Sequence, residues 1–332
     1  MKIFITGATG FIGTELLHQL KGTGHELFCL VRKSSPNFDK VKAMGINVAE
    51  GDVRDKASVL RGMEGCDWVV NLAALYSFWQ ADNGLYREIN VEGTRNVMEC
   101  ALETKTSKVV HVSTVVAFGK PEDAPFNEKS RVGPRLFSRY AKTKFEAGQL
   151  ARDMYENRGL PLVVVYPGVV LGPGNQKTSG LYVSDVVNGR LPAQVFTNVP
   201  FTWVHVKDVA EGIIRALEKD GNIGEKYIIA NEVITLGELN KMISAISGAE
   251  LPKIQMPTWL ALASASLLTG ISRLTKKEPP LRMYIDQVRT MSKGIHADGS
   301  KAEKELGISY TPIRIALEEE LSGRKVQLAE VE

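Results

Sequence analysis

The sequence predicts an α/β fold in which a doubly wound parallel sheet is followed by a smaller, mixed C-terminal lobe. Three observations carry this. Short β-branched runs alternate with helical stretches through the first half of the chain. A glycine-rich turn joins the first strand to the first helix. The alternation then breaks near Pro167, Gly168, Gly172, Pro173 and Gly174, which crowd into one loop. Strand–helix alternation at this spacing implies right-handed crossovers and parallel pairing, with ligands bound beyond the carboxyl ends of the strands.

Strands are expected at 2–6, 26–31, 46–49, 68–72, 108–113 and 161–166, and helices near 12–21, 56–62, 84–104 and 139–158. Ile213–Leu217 and Tyr227–Ala230 are expected to rejoin the sheet layer. The expected division is therefore a nucleotide-binding domain over 1–166, joined by 201–230, and a substrate lobe over 167–200 and 231–330.

At 332 residues, 44% hydrophobic and 24% charged, the chain has the composition of a globular protein with a sizeable core. A formal net charge of +3, spread along the chain, gives no basis for nucleic-acid binding. Cys29, Cys66 and Cys100 are far apart and odd in number, and the five histidines lack ligand spacing, so neither a disulfide framework nor a metal site is expected. The first strand begins at residue 2 and leaves no room for a signal peptide, so a cytoplasmic location is expected. Trp259–Ile271 is apolar and uncharged but only thirteen residues long, where a span needs ~20. It reads as a buried helix or pocket wall, with peripheral membrane contact as the alternative.

The glycine turn is Thr6-Gly-Ala-Thr-Gly-Phe-Ile-Gly13, which places Gly7, Gly10 and Gly13 three residues apart. Glycine permits the sharp turn and a close approach of pyrophosphate, and the helix opened by Phe11 and Ile12 points its amides at the anion. The second strand then decides the cofactor. No carboxylate follows Val31; Arg32, Lys33, Ser34 and Ser35 do, and cations with hydroxyls suit a 2′-phosphate, favouring NADP(H) over NAD(H). Asp52, closing the third strand before Val53, is placed to reach the adenine amino group.

Tyr140 and Lys144 are four residues apart on one predicted helix and so share a face. A phenol of pKa ~10 is a poor base at neutral pH, and an adjacent ammonium would stabilise the phenolate. Ser113 and Thr114 lie at the end of the 108–113 strand, where a hydroxyl can donate to a substrate oxygen.

Together these residues resemble the extended short-chain dehydrogenase/reductase superfamily, and with it the NAD-dependent epimerase/dehydratase family. The resemblance is carried by the glycine turn, Gly51-Asp52, Asn71-Leu-Ala-Ala74, Asn90-Val-Glu-Gly-Thr94, Ser113-Thr114, Tyr140-x-x-x-Lys144, Tyr166-Pro167-Gly168 and Val204-His-Val-Lys-Asp-Val209. Within the superfamily the chain is most similar to the dihydroflavonol 4-reductase-like branch and its hopanoid-associated sugar epimerase-like members. Ala74-Leu-Tyr-Ser-Phe-Trp79, Asn188-Gly-Arg-Leu-Pro192 and the apolar stretch at Trp259 carry that likeness.

The resemblance implies a Rossmann fold with Tyr140 as general acid/base. Lys144 would bind the nicotinamide ribose and lower the pKa of Tyr140, and Thr114 would orient substrate. Asn90 would match the family's helix asparagine. Gly7, Thr9, Gly10, Phe11, Ile12, Gly13, Arg32, Lys33, Asp52, Val53, Leu72, Ala73 and Ala74 would line the cofactor, and Pro167, Gly168 and Val169 would wrap its nicotinamide. It also implies a homodimer through 84–104 and 139–158.

The chain departs from the pattern at Thr114 (Ser is commoner), Asn71 (often His), Phe118 (for Tyr) and Tyr166 (Arg in many nucleotide-sugar enzymes). Basic residues of the second lobe region, such as Arg190, Lys207 and Arg282, are scattered. With Phe78-Trp79 and the 259–271 stretch, this favours a small-molecule substrate that is a hydrophobic carbonyl or alcohol. The leading expectation is an NADP(H)-dependent oxidoreductase. A nucleotide-sugar epimerase or dehydratase with tightly bound NAD(P) is the alternative, and a non-catalytic NADP(H) sensor the third.

Overall fold

The computed structural model describes residues 1–329. In chain order the first half runs β1 (Lys2–Thr6), α1 (Phe11–Leu20), β2 (Glu26–Val31), α2 (Phe38–Ala43), β3 (Asn47–Glu50), α3 (Lys56–Met63), β4 (Trp68–Asn71), α4 (Gly84–Arg87), α5 (Gly93–Glu103), β5 (Lys108–Val112), α6 (Arg139–Arg158) and β6 (Leu162–Pro167). A π-helical turn, Glu88–Glu92, joins α4 to α5, and a 3₁₀ turn, Val115–Phe118, follows β5. The second half runs β7 (Val169–Leu171), α7 (Thr178–Val187), β8 (Pro200–His205), α8 (Val206–Glu218), β9 (Lys226–Ile229), β10 (Glu232–Thr235), α9 (Leu236–Ser247), α10 (Thr258–Thr275), α11 (Ile285–Met291), α12 (Ser300–Leu306) and α13 (Ile313–Ala329).

Seven parallel strands form the main sheet in the order β3-β2-β1-β4-β5-β6-β9. The order reverses between β1 and β4, the switch point at which open α/β sheets bind ligands. Its strands are buried on both faces, so they read as continuous apolar runs such as Val109 and Val110 or Val163 to Val165. Each expected strand is present to within a residue or two, as is the 139–158 helix, whose start is capped by Ser138 Oγ accepting from Ala141 N at 3.1 Å. α2 was not expected; its Phe38-Asp-Lys-Val-Lys-Ala run is short and carries one buried residue, Val41. The expected helix at 84–104 is three pieces, because the π turn adds a residue to the repeat around Asn90.

Tyr227–Ile229 supplies the last strand of the sheet, whereas Ile213–Leu217 lies in α8, whose Val209, Ile213 and Ala216 cover the sheet from one side. β8 pairs with β7 and β10 in a separate three-stranded sheet. The chain passes from one sheet to the other through Gly168, where an added Cβ would lie 2.7 Å from the Thr202 carbonyl oxygen. A second apolar core, including Phe196, Trp203, Leu239, Ala265 and Leu317, fills this region. Glu330, the last residue of the expected lobe, lies outside the described residues.

Two surfaces differ from expectation or qualify it. α10 contains the 259–271 stretch but is not a buried helix. It buries Ala261, Ala265, Thr269 and Ser272, packs Leu262 against the second core and leaves Trp259, Leu267 and Ile271 exposed. The outward positions of α4 and α6 are charged and paired within the chain, as in Arg87–Glu146 at 2.6 Å and Arg152–Glu156 at 2.6 Å.

Two glycines test this packing. Gly148→Ala, in α6 with no atom within 4 Å of the new Cβ, should stabilise the fold by about 0.5–1 kcal/mol. Gly168→Ala should destabilise it by about 1–3 kcal/mol through the clash with Thr202. Thermal or urea unfolding of both variants measures the two signs.

Candidate active site

The carboxyl edge of the sheet gathers the sequence-singled residues from six successive strand ends. At the first, Gly7 has φ +75°, and a Cβ there would lie 2.7 Å from Ala73 N. A Cβ on Gly13 would lie 2.3 Å from the Gly7 carbonyl oxygen. Both positions therefore exclude a side chain on backbone contact alone. α1 starts behind Gly10 with no side-chain cap and no acidic residue in its first turn. The amides of Phe11, Ile12 and Gly13 thus open on an uncapped, partly positive helix end, a cradle that fits a pyrophosphate.

The basic loop after β2 is tied to this turn, since Asn37 Nδ2 donates to the Thr9 carbonyl at 3.1 Å. Arg32 and Lys33 are exposed there. After β3, Arg54 holds Asp52 in a two-pronged contact, Nε to Oδ1 at 3.1 Å and Nη2 to Oδ2 at 2.9 Å. Burial alone would raise the Asp52 carboxyl, but Arg54 and, more weakly, Arg32 hold it below its ordinary value. Val53 packs on α5 at Gly93, and its carbonyl accepts from Asn96 Nδ2 at 2.8 Å.

The loop Leu72, Ala73 and Ala74 after β4 is pinned at both ends. Leu72 N donates to the Thr6 carbonyl at 3.2 Å, and Ala73 N to Thr6 Oγ1 at 3.2 Å. At its far end Leu75 N donates to Asn90 Oδ1 at 2.7 Å. Asn90 is fully buried in the π turn, and its Nδ2 donates to Thr143 Oγ1 of α6 at 2.9 Å. Asn90 therefore couples the loop after β4 to the helix that carries Tyr140.

Sequence reasoning missed a polar row across the three central strands. Thr6, Asn71 and His111 are register partners on β1, β4 and β5. Thr6 Oγ1 donates to Asn71 Oδ1 at 2.7 Å, and the Asn71 amide lies 3.2 Å from His111 Nδ1. Burial, aided by the Lys144 charge, pushes His111 well below its ordinary pKa, so its ring is neutral. The signal was present as one polar residue at or next to the end of each apolar run, but the row exists only once the register is known.

After β5, Thr114 caps the 3₁₀ turn, and its hydroxyl is near enough to that of Tyr140 to lower the phenol's pKa. The Tyr140 ring is buried and stacks at 5.0 Å on Tyr76, whose own ring meets Phe78 at 6.1 Å. Lys144 is 2% exposed and donates to the Val112 carbonyl at 2.8 Å. The expectation that Lys144 lowers the pKa of Tyr140 is not met in this arrangement. Burial pushes the phenol up, opposed by the nearby Thr114 hydroxyl. Burial also pushes the Lys144 amine down to about 7. The phenol is therefore a neutral proton donor.

Ser113 Oγ is buried without a hydrogen-bond partner and faces a cavity of about 250 Å³ behind α6, lined also by Lys144, Phe145, Arg152, Tyr166 and Lys226. After β6, Pro167 and Val169 flank Gly168, whose amide donates to the Ile229 carbonyl at 2.9 Å.

A glycine cradle at the switch point of a parallel sheet, with a tyrosine, a threonine and a lysine converging at the next strand ends, defines a Rossmann-type enzyme of the nicotinamide-dependent kind. The comparisons agree. Residues 3–230 match the NAD dependent epimerase/dehydratase family, and the chain belongs to it; it is a member of the extended short-chain dehydrogenase/reductase superfamily.

A protein of Synechocystis sp. provisionally named dihydroflavonol 4-reductase is 32% identical, the match covering 95% of this chain and 92% of the relative. A 4-hydroxy-2-methyl-3-oxo-4-farnesyl-3,4-dihydroquinoline-1-oxide ketoreductase of Stigmatella aurantiaca is 28% identical over 92% of this chain and 91% of its own. Among solved structures, that of gox2253 superposes with a TM-score of 0.85 at 32% identity, covering 98% of both chains.

The Lys144 amine gives a pH signature. The unfolded amine releases its proton near 10.5, the folded one near 7. Between those values the unfolded state binds more protons, so this group's penalty on folding shrinks as pH rises. The stability advantage of Lys144→Met over the natural protein should be largest at or below pH 7 and decline toward pH 10. Urea unfolding of both proteins across that range would show it, and a pH-independent gap would mean an unshifted amine.

Proposed function

We propose that the protein is an NADP(H)-dependent oxidoreductase that reduces an apolar ketone or aldehyde, or oxidises the corresponding alcohol. The observation that carries the reading is the Tyr140–Thr114 hydroxyl pair, buried beneath Tyr76 at the carboxyl edge of the sheet. When bound, the nicotinamide cofactor supplies or accepts hydride at the substrate carbon. Gly7, Thr9, Gly10, Phe11, Ile12 and Gly13 would hold its pyrophosphate, with Leu72, Ala73, Ala74, Asp52 and Val53 along its adenosine and Pro167, Gly168 and Val169 about its nicotinamide. Arg32 and Lys33 would receive the 2′-phosphate.

Thr114 would hold the substrate oxygen while Tyr140, kept neutral by burial, gives it a proton. That proton balances the negative charge that hydride delivery leaves on oxygen. Lys144 would engage the nicotinamide ribose. With a pKa near neutrality it can also return a proton toward Tyr140. Asn90 acts through Leu75 and Thr143 as a positioning residue.

The apolar substrate class is supported by the state of the cations that could otherwise grip a sugar-linked diphosphate. Arg190 pairs with Asp185 at 2.8 Å, Arg282 lies 3.8 Å from the same carboxylate, and Lys207 pairs with Glu319 at 2.8 Å. Tyr166, where an arginine would serve a nucleotide sugar, instead stacks edge-on against Phe118 at 5.0 Å. The three cysteines are free and buried, which suits the reducing cytoplasm. The family also contains epimerases, for which cofactor is conserved through the cycle; that second reading is supported by the family description and by relatives named as epimerases at 24–25% identity.

The test follows NADPH absorbance against apolar ketones and aldehydes, with nucleotide sugars alongside. Stoichiometric NADPH loss with a carbonyl is expected. An altered sugar without net NADPH loss would overturn the reductase reading in favour of the epimerase.

Tyr140→Phe should keep NADPH affinity and lose about 10²–10⁴-fold in turnover. Near-normal rates would remove Tyr140 from the chemistry. Arg32→Asp should shift the NADPH/NADH preference toward NADH by about tenfold or more, read as the ratio of kcat/KM values.

A further inference from the structure

We propose that α10 docks the protein on the surface of an anionic lipid bilayer. The helix is amphipathic in the reverse of the usual sense. At 100° per residue, Trp259, Ala263, Leu267, Gly270, Ile271 and Leu274 fall on one face, and that face is turned to solvent. Trp259 is 69% exposed, Leu267 66% and Leu274 88%. The opposite face, Ala261, Ala265, Thr269 and Ser272, is the one that packs inward. A globular helix that buries alanine, serine and threonine while presenting tryptophan, leucine and isoleucine to water has an apolar face left for an external partner. Ile254 and Leu281, both 67–68% exposed, extend it at either end of the segment.

Charge selects the partner. Residues 251–277 contain Lys253, Arg273, Lys276 and Lys277 and no carboxylate. All four are exposed, and none forms an ion pair with a carboxylate among the described residues. Glu278, the next acidic residue, has its carboxylate hydrogen-bonded to the Tyr284 hydroxyl. An exposed apolar face flanked by unpaired cations suits the interface of an anionic bilayer, where the acyl boundary takes the apolar side chains and the headgroups the cations. No helix among the described residues is long and apolar enough to cross a bilayer. With 18 residues, α10 is ~27 Å long and would lie in the interfacial plane.

Docking there would act close to the chemistry. Thr269 Oγ1 of α10 accepts from Ile285 N at 3.0 Å, and the next residue, Asp286, accepts from Arg139 N at 2.9 Å. Arg139 is the first residue of α6 and immediately precedes Tyr140. The lipid-facing helix is thus joined through α11 to the start of the helix that carries the proton donor. The docking itself does not depend on the redox reading, because vesicle binding is measured without turnover.

The experiment is co-sedimentation of the full chain with vesicles of phosphatidylglycerol and phosphatidylcholine, against vesicles of phosphatidylcholine alone. The expected result is partition at least about tenfold stronger to the anionic vesicles and weakened by salt. Leu267→Glu/Ile271→Glu should lose about tenfold or more of that binding, and Lys276→Glu/Lys277→Glu should lose the preference for anionic lipid. A blue shift of tryptophan emission on binding should be absent from Trp259→Phe. Thermal melting shows that each variant is folded, as expected for exposed positions. Failure of the folded natural protein to bind, or equal binding by Leu267→Glu/Ile271→Glu, overturns the proposal. So does a dimer in sedimentation velocity that this variant dissolves while no vesicle binding occurs, which would assign the face to a second copy of the chain.

Discussion

The architecture rests on a contact between backbones. At the switch point, β1 is followed by Gly7, where any side chain would strike Ala73 N, and the first turn of α1 carries Gly13, set against the Gly7 carbonyl. Removing both Cβ atoms lets a helix end, a turn and the loop after β4 converge with no side chain between them. What remains is a surface of amides, uncapped and partly positive. The same approach that brings helix to strand also makes the anion cradle, so stability and ligand recognition place one demand on the same two positions. Either glycine replaced by alanine must move backbone, the least compliant neighbour available.

From that point the site is assembled by hydrogen bonds that run across the sheet, perpendicular to the chain. Thr6 sits between Asn71 and Ala73, and Asn71 sits beside His111. Buried polar groups are stabilising only when satisfied, and here satisfaction also sets geometry, because Thr6 fixes the loop that faces the cradle. Asn90 repeats the device one layer out. Its π turn widens the helix so that one amide side chain can accept from Leu75 and donate to Thr143. The nucleotide side and the Tyr140 side of the cleft are therefore held in one network.

The strands and the glycine turn were legible because they follow local rules. A strand covered on both faces must be apolar throughout, and a turn without room for Cβ must be glycine. Tyr140 and Lys144 were legible from helical spacing. The Thr6–Asn71–His111 row was not, because a lone polar residue at or next to the end of an apolar run looks like an ordinary strand end until three strands are set in register. The break of 84–104 at Asn90 was hidden for a related reason: a one-residue expansion of the helix leaves the apolar pattern nearly intact. Nor did the pKa of Tyr140 follow from its spacing to Lys144. Proximity of a cation argues for phenolate, whereas burial argues against it, and burial is a property of the fold.

α10 shows the same limit from the opposite side. Composition marks 259–271 as apolar, and apolar segments of a globular protein are ordinarily placed inside. Which face turns inward depends on what the second core will accept, and that core has room for Ala261 and Ala265 but not for Trp259 or Leu267. The large residues are thus left outside by packing on a stable platform, and α10 gives up little core contact by keeping them there. The platform reaches the chemistry through two backbone amides, Ile285 held by Thr269 and Arg139 held by Asp286. Asp286 meets α6 at its N-terminal end, where a carboxylate is favoured by the helix dipole. An acidic residue on α11 therefore anchors the start of the Tyr140 helix and ties the outward-facing α10 to it, so the orientation of the apolar face and the position of the proton donor are set by the same short segment.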